Sequence, residues 1–309
     1  SGNRITCRDW FQLSLKEGLT VFRDQCFTAD LHSAALKRIE DVAMLRNTQF
    51  REDAGPTAHP VKPDAYQAID NFYTTTIYEK GAELIRMLRT LLGEERFMAG
   101  MRLYFQRHDG DAATTEDFVA AILEGACAKG EPLGFDPSQF QRWYHQAGTP
   151  TVTVQSQWDG AKGRLTLELQ QATPPTPGQA QKKPLVIPLL WALIGSDGRL
   201  VEERLLVLDQ AEQTLVVEGL PAAEQPPALS LFRQFSAPVH WQAHQGDDAL
   251  FTLFAHDDDA FARWDAGQQL WRRLLLARAN GSGDAALEQR MVTALSVLLG
   301  PDGESDPAV

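Results

Sequence analysis

The chain has 309 residues, 43% hydrophobic and 23% charged, with a formal net charge of −12. That length can form about two or three domains with real cores, and the balance excludes a disordered or fibrous chain. The acidic excess, with no clustered Lys/Arg face, excludes nucleic acid and anionic membrane surfaces as partners, since both need a basic footprint.

From Ser14 to about Gln146 the apolar residues follow helical spacing. Leu15, Leu19, Phe22 and Phe27 keep to one face, and Ser14 with Glu17 three residues on has the spacing of a capping box. A second helix is expected over about 33–49. Residues 54–63 hold three prolines and a glycine and read as an irregular loop. The run 71–92 places Ile77, Leu84, Leu88 and Leu91 on one helical face, and Gly93 closes it as a C-cap. Further helices are expected at about 94–108, at 115–127 with Thr114 or Thr115 as cap, and at 137–146.

The character changes at Gly148-Thr149-Pro150. From Thr151 the pattern has period two, as in TVTVQ and RLTLELQ, with turn signals at Asp159-Gly160 and Asp197-Gly198. More short strands are expected at 184–194, 200–208, 214–218, 228–232 and 237–243. With no helices between them they predict an antiparallel β-sandwich of roughly 90 residues. From Asp247 helical spacing returns through Phe251, Phe254, Phe261, Trp264, Leu270, Leu274, Met291, Leu295 and Leu298, and a Gly/Asp/Pro-rich tail follows over 300–309. The expected fold class is multidomain α+β, divided into 1–148, 149–245 and 246–309, with no internal repeat of fixed period.

Cys7, Cys26 and Cys127 are odd in number, far apart and without C-x-x-C spacing. They point to reduced thiols in a cytoplasm and exclude a disulfide framework or a zinc knuckle. The longest apolar run, 185–194, is broken by Pro188 and falls short of the roughly 20 residues that span a bilayer. The N-terminus lacks the charged-then-apolar order of a signal peptide. It also lacks an initiator Met, so the chain is expected to begin inside a longer reading frame.

Glu17, one turn into an amphipathic helix, is the kind of group a catalytic zinc takes as its third protein ligand, yet the chain contains no H-E-x-x-H. On spacing alone, a cap shared with Ser14 is the better reading of Glu17. Tyr78 alone reads as an aromatic on a helix flank with one hydrogen bond. Its neighbours Glu79 and Lys80 point elsewhere, and either a solvated ion pair or a supporting role is open to them. His240 and His244 have the i, i+4 spacing of a helical metal pair, but they fall in a predicted strand, where residues four apart cannot chelate together. His59 either lines a cleft or faces water. Asp257-Asp258-Asp259 lacks the spacing of an EF-hand loop and is explained by an acidic helix N-terminus.

Three segments carry a resemblance: Asn3 to Gln25 (NRITCRDWFQLSLKEGLTVFRDQ), Phe72 to Met87 (FYTTTIYEKGAELIRM) and Gln141 to Val154 (QRWYHQAGTPTVTV). They resemble the M1 family of zinc aminopeptidases, and the similarity runs to about Asn280 while covering only a middle portion of the family's length. The resemblance implies the C-terminal helical half of a thermolysin-like catalytic domain, then a β-sandwich, then the start of a helical domain. The family's zinc motif is H-E-x-x-H, eighteen residues, then E. Sixteen residues precede Glu17, which would put the second histidine just ahead of Ser1.

By that resemblance Glu17 is a zinc ligand and Tyr78 the catalytic tyrosine. Two histidine ligands, the general base and the amine-binding G-x-M-E-N motif would lie upstream. One Zn2+ is implied for the intact enzyme, not held by this chain alone. The implied substrates are peptides with a free N-terminus. Cys26 stands where the family pattern would have an acidic residue. Two rivals remain: a noncatalytic scaffold or binding protein on the same fold, and a related zinc epoxide hydrolase that shares the zinc ligands.

Overall fold

A computed structural model describes residues 2–298. The predicted tail at 300–309 lies outside the described residues, as do the side chains of 297 and 298.

The N-terminal part is helical around one long element. Strand β1 (Thr6–Cys7) leads through a 3-10 turn at Trp10–Gln12 into α1 (Leu13–Leu31). Leu15, Leu19 and Phe22 of α1 are buried, but Phe27 leaves the predicted face and is 60% exposed. Helix α2 (Ala34–Asn47) starts at Ser33, whose side chain accepts from the Leu36 N–H at 3.1 Å. The helix expected to reach residue 49 ends earlier, and a separate short helix, α3 (Gln49–Asp53), takes the chain to the Pro-rich stretch.

The single helix expected over 71–92 is three pieces. A 3-10 turn at Ile69–Phe72 is followed by an irregular link and then by a π-helix at Thr76–Lys80, which runs into α4 (Gly81–Leu92). The apolar spacing holds across the join, which is why it reads as one helix, but the i→i+5 turn widens the backbone. Gly93, with φ +75°, ends α4 as predicted. Helix α5 (Glu94–His108) follows, then β2 (Ala112–Ala113), which pairs in parallel with β1. Helix α6 (Thr115–Ala126) is capped by Thr114, with Asp117 completing the reciprocal pair of bonds. The region expected as a helix over 137–146 is two short helices, α7 (Pro137–Phe140) and α8 (Arg142–His145).

Seven strands follow: β3 (Thr151–Asp159), β4 (Arg164–Ala172), β5 (Ile187–Ile194), β6 (Leu200–Leu208), β7 (Glu212–Val217), β8 (Ala228–Leu231) and β9 (His240–Ala243). They form two sheets, β7-β4-β3-β9 and β6-β5-β8. Every neighbouring pair is antiparallel except β3 with β9, which run parallel from Thr151 beside His240. The departure follows from β9 arriving from the other sheet, by a connection through Phe232–Phe235, instead of by a hairpin. The period-two pattern of β4 buries Leu165, Leu167 and Leu169. Strand β5 is apolar nearly throughout because it is covered on both faces: Ala192 and Ile194 join a second cluster with Leu250, Leu253 and Phe254.

Those three residues lie on α9 (Asp247–His256), which packs with α10 (Ala260–Ala279) and α11 (Ala285–Leu298). The triple aspartate divides its labour. Asp259 caps α10 by accepting from the Ala262 N–H at 2.8 Å, while Asp257 and Asp258 pair with Arg233. Among the described residues no helix is long and apolar enough to cross a membrane.

Candidate functional site

Helix α1 packs against the π-helix and the start of α4 where the two join. A side chain on Gly18 would place its Cβ 2.8 Å from the carbonyl carbon of Gly81, so the two backbones approach as only glycine allows. One turn earlier, the Ser14 hydroxyl donates to the Ile77 carbonyl at 2.9 Å. Glu17 precedes Gly18, and Tyr78 follows Ile77. The two candidate residues therefore sit beside one seam.

The capping reading of Ser14 and Glu17 is overturned. The 3-10 turn starts the helix early, so Gln12 is the N-cap, without a side-chain cap bond, and Ser14 lies inside the first turn with its hydroxyl committed to Ile77. Glu17 makes no cap bond; its Oε1 lies 3.2 Å from Lys16 Nζ, and its side chain is 15% exposed. Burial, then the negative charge of Glu17, then Tyr73, hold the Tyr78 phenol above its ordinary range. The phenol thus keeps its proton, as a hydrogen-bond donor must.

Around Tyr78 the wall is aromatic. Its ring centroid is 6.4 Å from that of Tyr73, which lies 6.5 Å from Trp10; Trp10 stacks on Phe72 at 6.2 Å, and Tyr66 lies 4.9 Å from Phe72.

Helix α3 touches both ends of the π-helix, through residues that sequence reasoning missed. Glu52 Oε1 accepts from the Thr76 N–H at 3.0 Å and from the Thr76 hydroxyl, and Oε2 accepts from the Thr75 hydroxyl at 3.2 Å. At the other end Lys80 Nζ donates to Asp53 Oδ2 at 2.7 Å and to the Gly148 carbonyl at 3.0 Å. The Thr149 hydroxyl donates to the same Asp53 oxygen at 2.9 Å. Lys80 is therefore no solvated partner of Glu79; its side chain is 1% exposed. Glu79 has its carboxyl pushed up to about 7, chiefly by burial and then by the charges of Asp41 and Glu83. A clue existed in a lysine amid FYTTTIYEKGAE, but its partners lie 27 and 68 positions away.

The other candidates fall outside this site. His59 faces Glu52, its Nε2 3.7 Å from Oε1, while its Nδ1 is 2.7 Å from the Pro60 carbonyl oxygen. His240 is on β9, its ring 4.6 Å from Phe50, and His244 lies past the strand's end, so the pair forms no helical chelate. Cys26 is a half-buried free thiol, 3.5 Å from Arg89 Nη1. A cavity of about 880 Å³ lined by Phe22, Cys26, Arg86, Leu190 and Phe261 includes neither Glu17 nor Tyr78. Among the described residues no group of three or more His, Cys, Asp or Glu could hold a metal.

Residues 1–141 match the peptidase family M1 domain. The chain belongs to the M1 peptidase family. Residues 148–244 match a domain of unknown function (DUF3458) with an Ig-like fold, and 247–309 its companion domain of unknown function with ARM repeats. That succession agrees with the multidomain α+β class expected above. Over its whole length the chain is 52% identical to aminopeptidase N of Caulobacter vibrioides and 45% identical to aminopeptidase N of Escherichia coli, covering 34% and 36% of those proteins. It is also similar to a solved structure of Legionella pneumophila aminopeptidase A in complex with aspartic acid. That likeness has a TM-score of 0.77 at 28% identity and covers 99% of this chain and 32% of that one. The chain spans about a third of the length of the curated relatives it matches.

Proposed function

We propose that this M1 chain is the part of a zinc aminopeptidase that contributes one metal ligand, Glu17, and one transition-state donor, Tyr78, to the removal of N-terminal amino acids from peptides. The observation that supports the reading is the seam itself: the Ser14 hydroxyl is bonded to the Ile77 carbonyl, so the helix turn bearing an uncapped Glu17 is tied to the turn bearing Tyr78.

The residues present do not by themselves make a zinc site, because catalytic zinc takes three protein ligands and Glu17 is one. In an enzyme of this class, bound zinc supplies an activated water and a polarised carbonyl. This chain's own share is narrower. Tyr78 donates its O–H to the oxyanion that develops on the attacked carbonyl, a bond typically worth about 10²-fold or more in rate. Burial and the adjacent Glu17 charge keep that proton in place. Lys16 pairs with Glu17, its Nζ 3.2 Å from Oε1. The division into 1–148, 149–245 and 246–309, and a cytoplasmic setting with reduced thiols, belong to the same proposal.

The test is a chimera in which this chain replaces the corresponding third of the Caulobacter aminopeptidase N. Hydrolysis of alanyl, leucyl or arginyl amides is expected, slowed about 10²-fold by Tyr78→Phe. A folded chimera inert toward every such amide would overturn the aminopeptidase reading; epoxide hydrolysis by it would favour the related hydrolase, and inertness toward both a scaffold.

A further inference from the structure

The π-helix is five residues long, and Tyr78 is its middle residue. Such turns are rare and appear mostly as single turns inside α-helices, so a neighbour that fixes the shape of this one matters. Here that neighbour is α3, whose consecutive carboxylates grip the two ends: Glu52 at Thr75 and Thr76, Asp53 at Lys80. Gln49 Nε2 adds a bond to the Thr76 hydroxyl at 3.3 Å.

The Asp53–Lys80 pair is the unusual half of the clamp. Both side chains are essentially shut off from water, at 0% and 1% exposure. A buried ion pair is a poor device for stability, since apolar residues of similar volume often serve as well or better. What it offers is direction: the ammonium aims at one carboxylate oxygen and one carbonyl. Those bonds also cross from the helical part to the start of the β-sandwich, because the carbonyl is that of Gly148 and Asp53 receives the hydroxyl of Thr149, two residues before β3.

We propose that Asp53 and Lys80 are positioning residues for Tyr78, and that Gly148 and Thr149 make the entry to the Ig-like sandwich a working part of the device that aims the phenol. The inference rests on the reading of Tyr78 given above. The sandwich thereby fixes one end of the catalytic turn from outside the helical domain.

The test needs neither zinc nor turnover. The chain has five tyrosines, so labelling with 3-fluorotyrosine gives five fluorine resonances, and Tyr78→Phe identifies that of Tyr78. Tyr104, buried on α5, reports on the helical core. In Thr149→Val and Lys80→Met the Tyr78 line is expected to shift and to broaden or split, while the Tyr104 line stays; Thr149→Ser, which keeps the hydroxyl, restores the parent line. Where Lys80→Met unfolds the chain, Thr149→Val and the apolar double variant Asp53→Val/Lys80→Met decide. A Tyr78 line unmoved in those variants, with Tyr104 intact, overturns the proposal. A chain that hydrolyses nothing leaves the clamp standing, and an active chimera with an indifferent Tyr78 line refutes the clamp alone.

Discussion

The Ser14 hydroxyl lies 2.9 Å from the Ile77 carbonyl oxygen, and this bond ties the helix bearing Glu17 to the turn bearing Tyr78. Ser14→Ala is expected to destabilise the chain by about 1–3 kcal/mol, because it removes the partner of a buried acceptor. Gly18→Ala strikes the same seam from the steric side: the new methyl meets the backbone of Gly81 and Ala82, which cannot swing away as a side chain can. Overpacking of this kind costs about 1–3 kcal/mol. Urea unfolding of both variants checks this, against Gly283→Ala, whose added carbon has only Arg278 at 4.0 Å and is expected to stay within about 0.5 kcal/mol of the parent.

Arg38 and Glu83 form a buried bidentate pair, both bonds 2.7 Å, and Arg38 also donates to the carbonyls of Gln234 and Phe235. The latter two residues, with Phe232, hold φ between 52° and 56°, a left-handed conformation that non-glycine residues keep only when their surroundings enforce it. Arg38→Met is expected to cost about 3–5 kcal/mol, since it takes the bidentate partner from a buried carboxylate and leaves it only Arg86, whose Nε lies 3.7 Å away. Burial raises the Glu83 carboxyl, but the charge and hydrogen bonds of Arg38, and then of Arg86, outweigh it and leave the group below its ordinary value. An acid with a depressed folded pKa contributes stability that is present above its unfolded value, 4.5 for a glutamate, and lost as pH falls through the folded one. Acid unfolding should therefore be less steep in Glu83→Gln, though that variant starts from lower stability. An equally steep acid limb would show that Glu83 does not carry it.

The succession of helices, strands and helices was legible because each period is written locally, as in the alternation of Leu165, Leu167 and Leu169. The site was legible only in part. Glu17 and Tyr78 stand out through a family resemblance, and nothing in their spacing says that the turns bearing them are bonded together. The π-helix hides because Ile77, Leu84 and Leu88 keep helical spacing across it. Ser14 misleads because S-x-x-E is a local signal, whereas the turn at Trp10–Gln12 that displaces it depends on packing. Glu52, Asp53 and Lys80 look like ordinary surface charges; their partnership is tertiary, as is that of Arg38 with a loop 196 positions away.

Glu79 supplies an opposite pH signature. Its carboxyl, about 7 in the folded chain against a reference of 4.5, binds a proton more readily when folded than when unfolded. Stability from this group is full below the reference value and falls as pH rises through about 7. Glu79→Gln should remove that loss, so the variant gains on the parent between pH 5 and pH 8 in urea midpoints. Parallel curves for the two proteins across that range would contradict the assignment.

The two seam residues should separate by what each loses. Dialysed against buffer, the chain alone is expected to retain no stoichiometric zinc, because one carboxylate cannot hold the ion at useful affinity. In the chimera with the Caulobacter relative, one zinc per chain is expected. Glu17→Ala there should release the metal and abolish turnover together, whereas Tyr78→Phe should keep the metal and lower kcat by about 10²-fold with little change in KM, as removal of a donor used only in the transition state requires. Elemental analysis with amide kinetics on the same preparations decides it. One tightly held zinc on the isolated chain, or metal loss on Tyr78→Phe, would mean that the ion is gripped by a constellation other than the one built on Glu17.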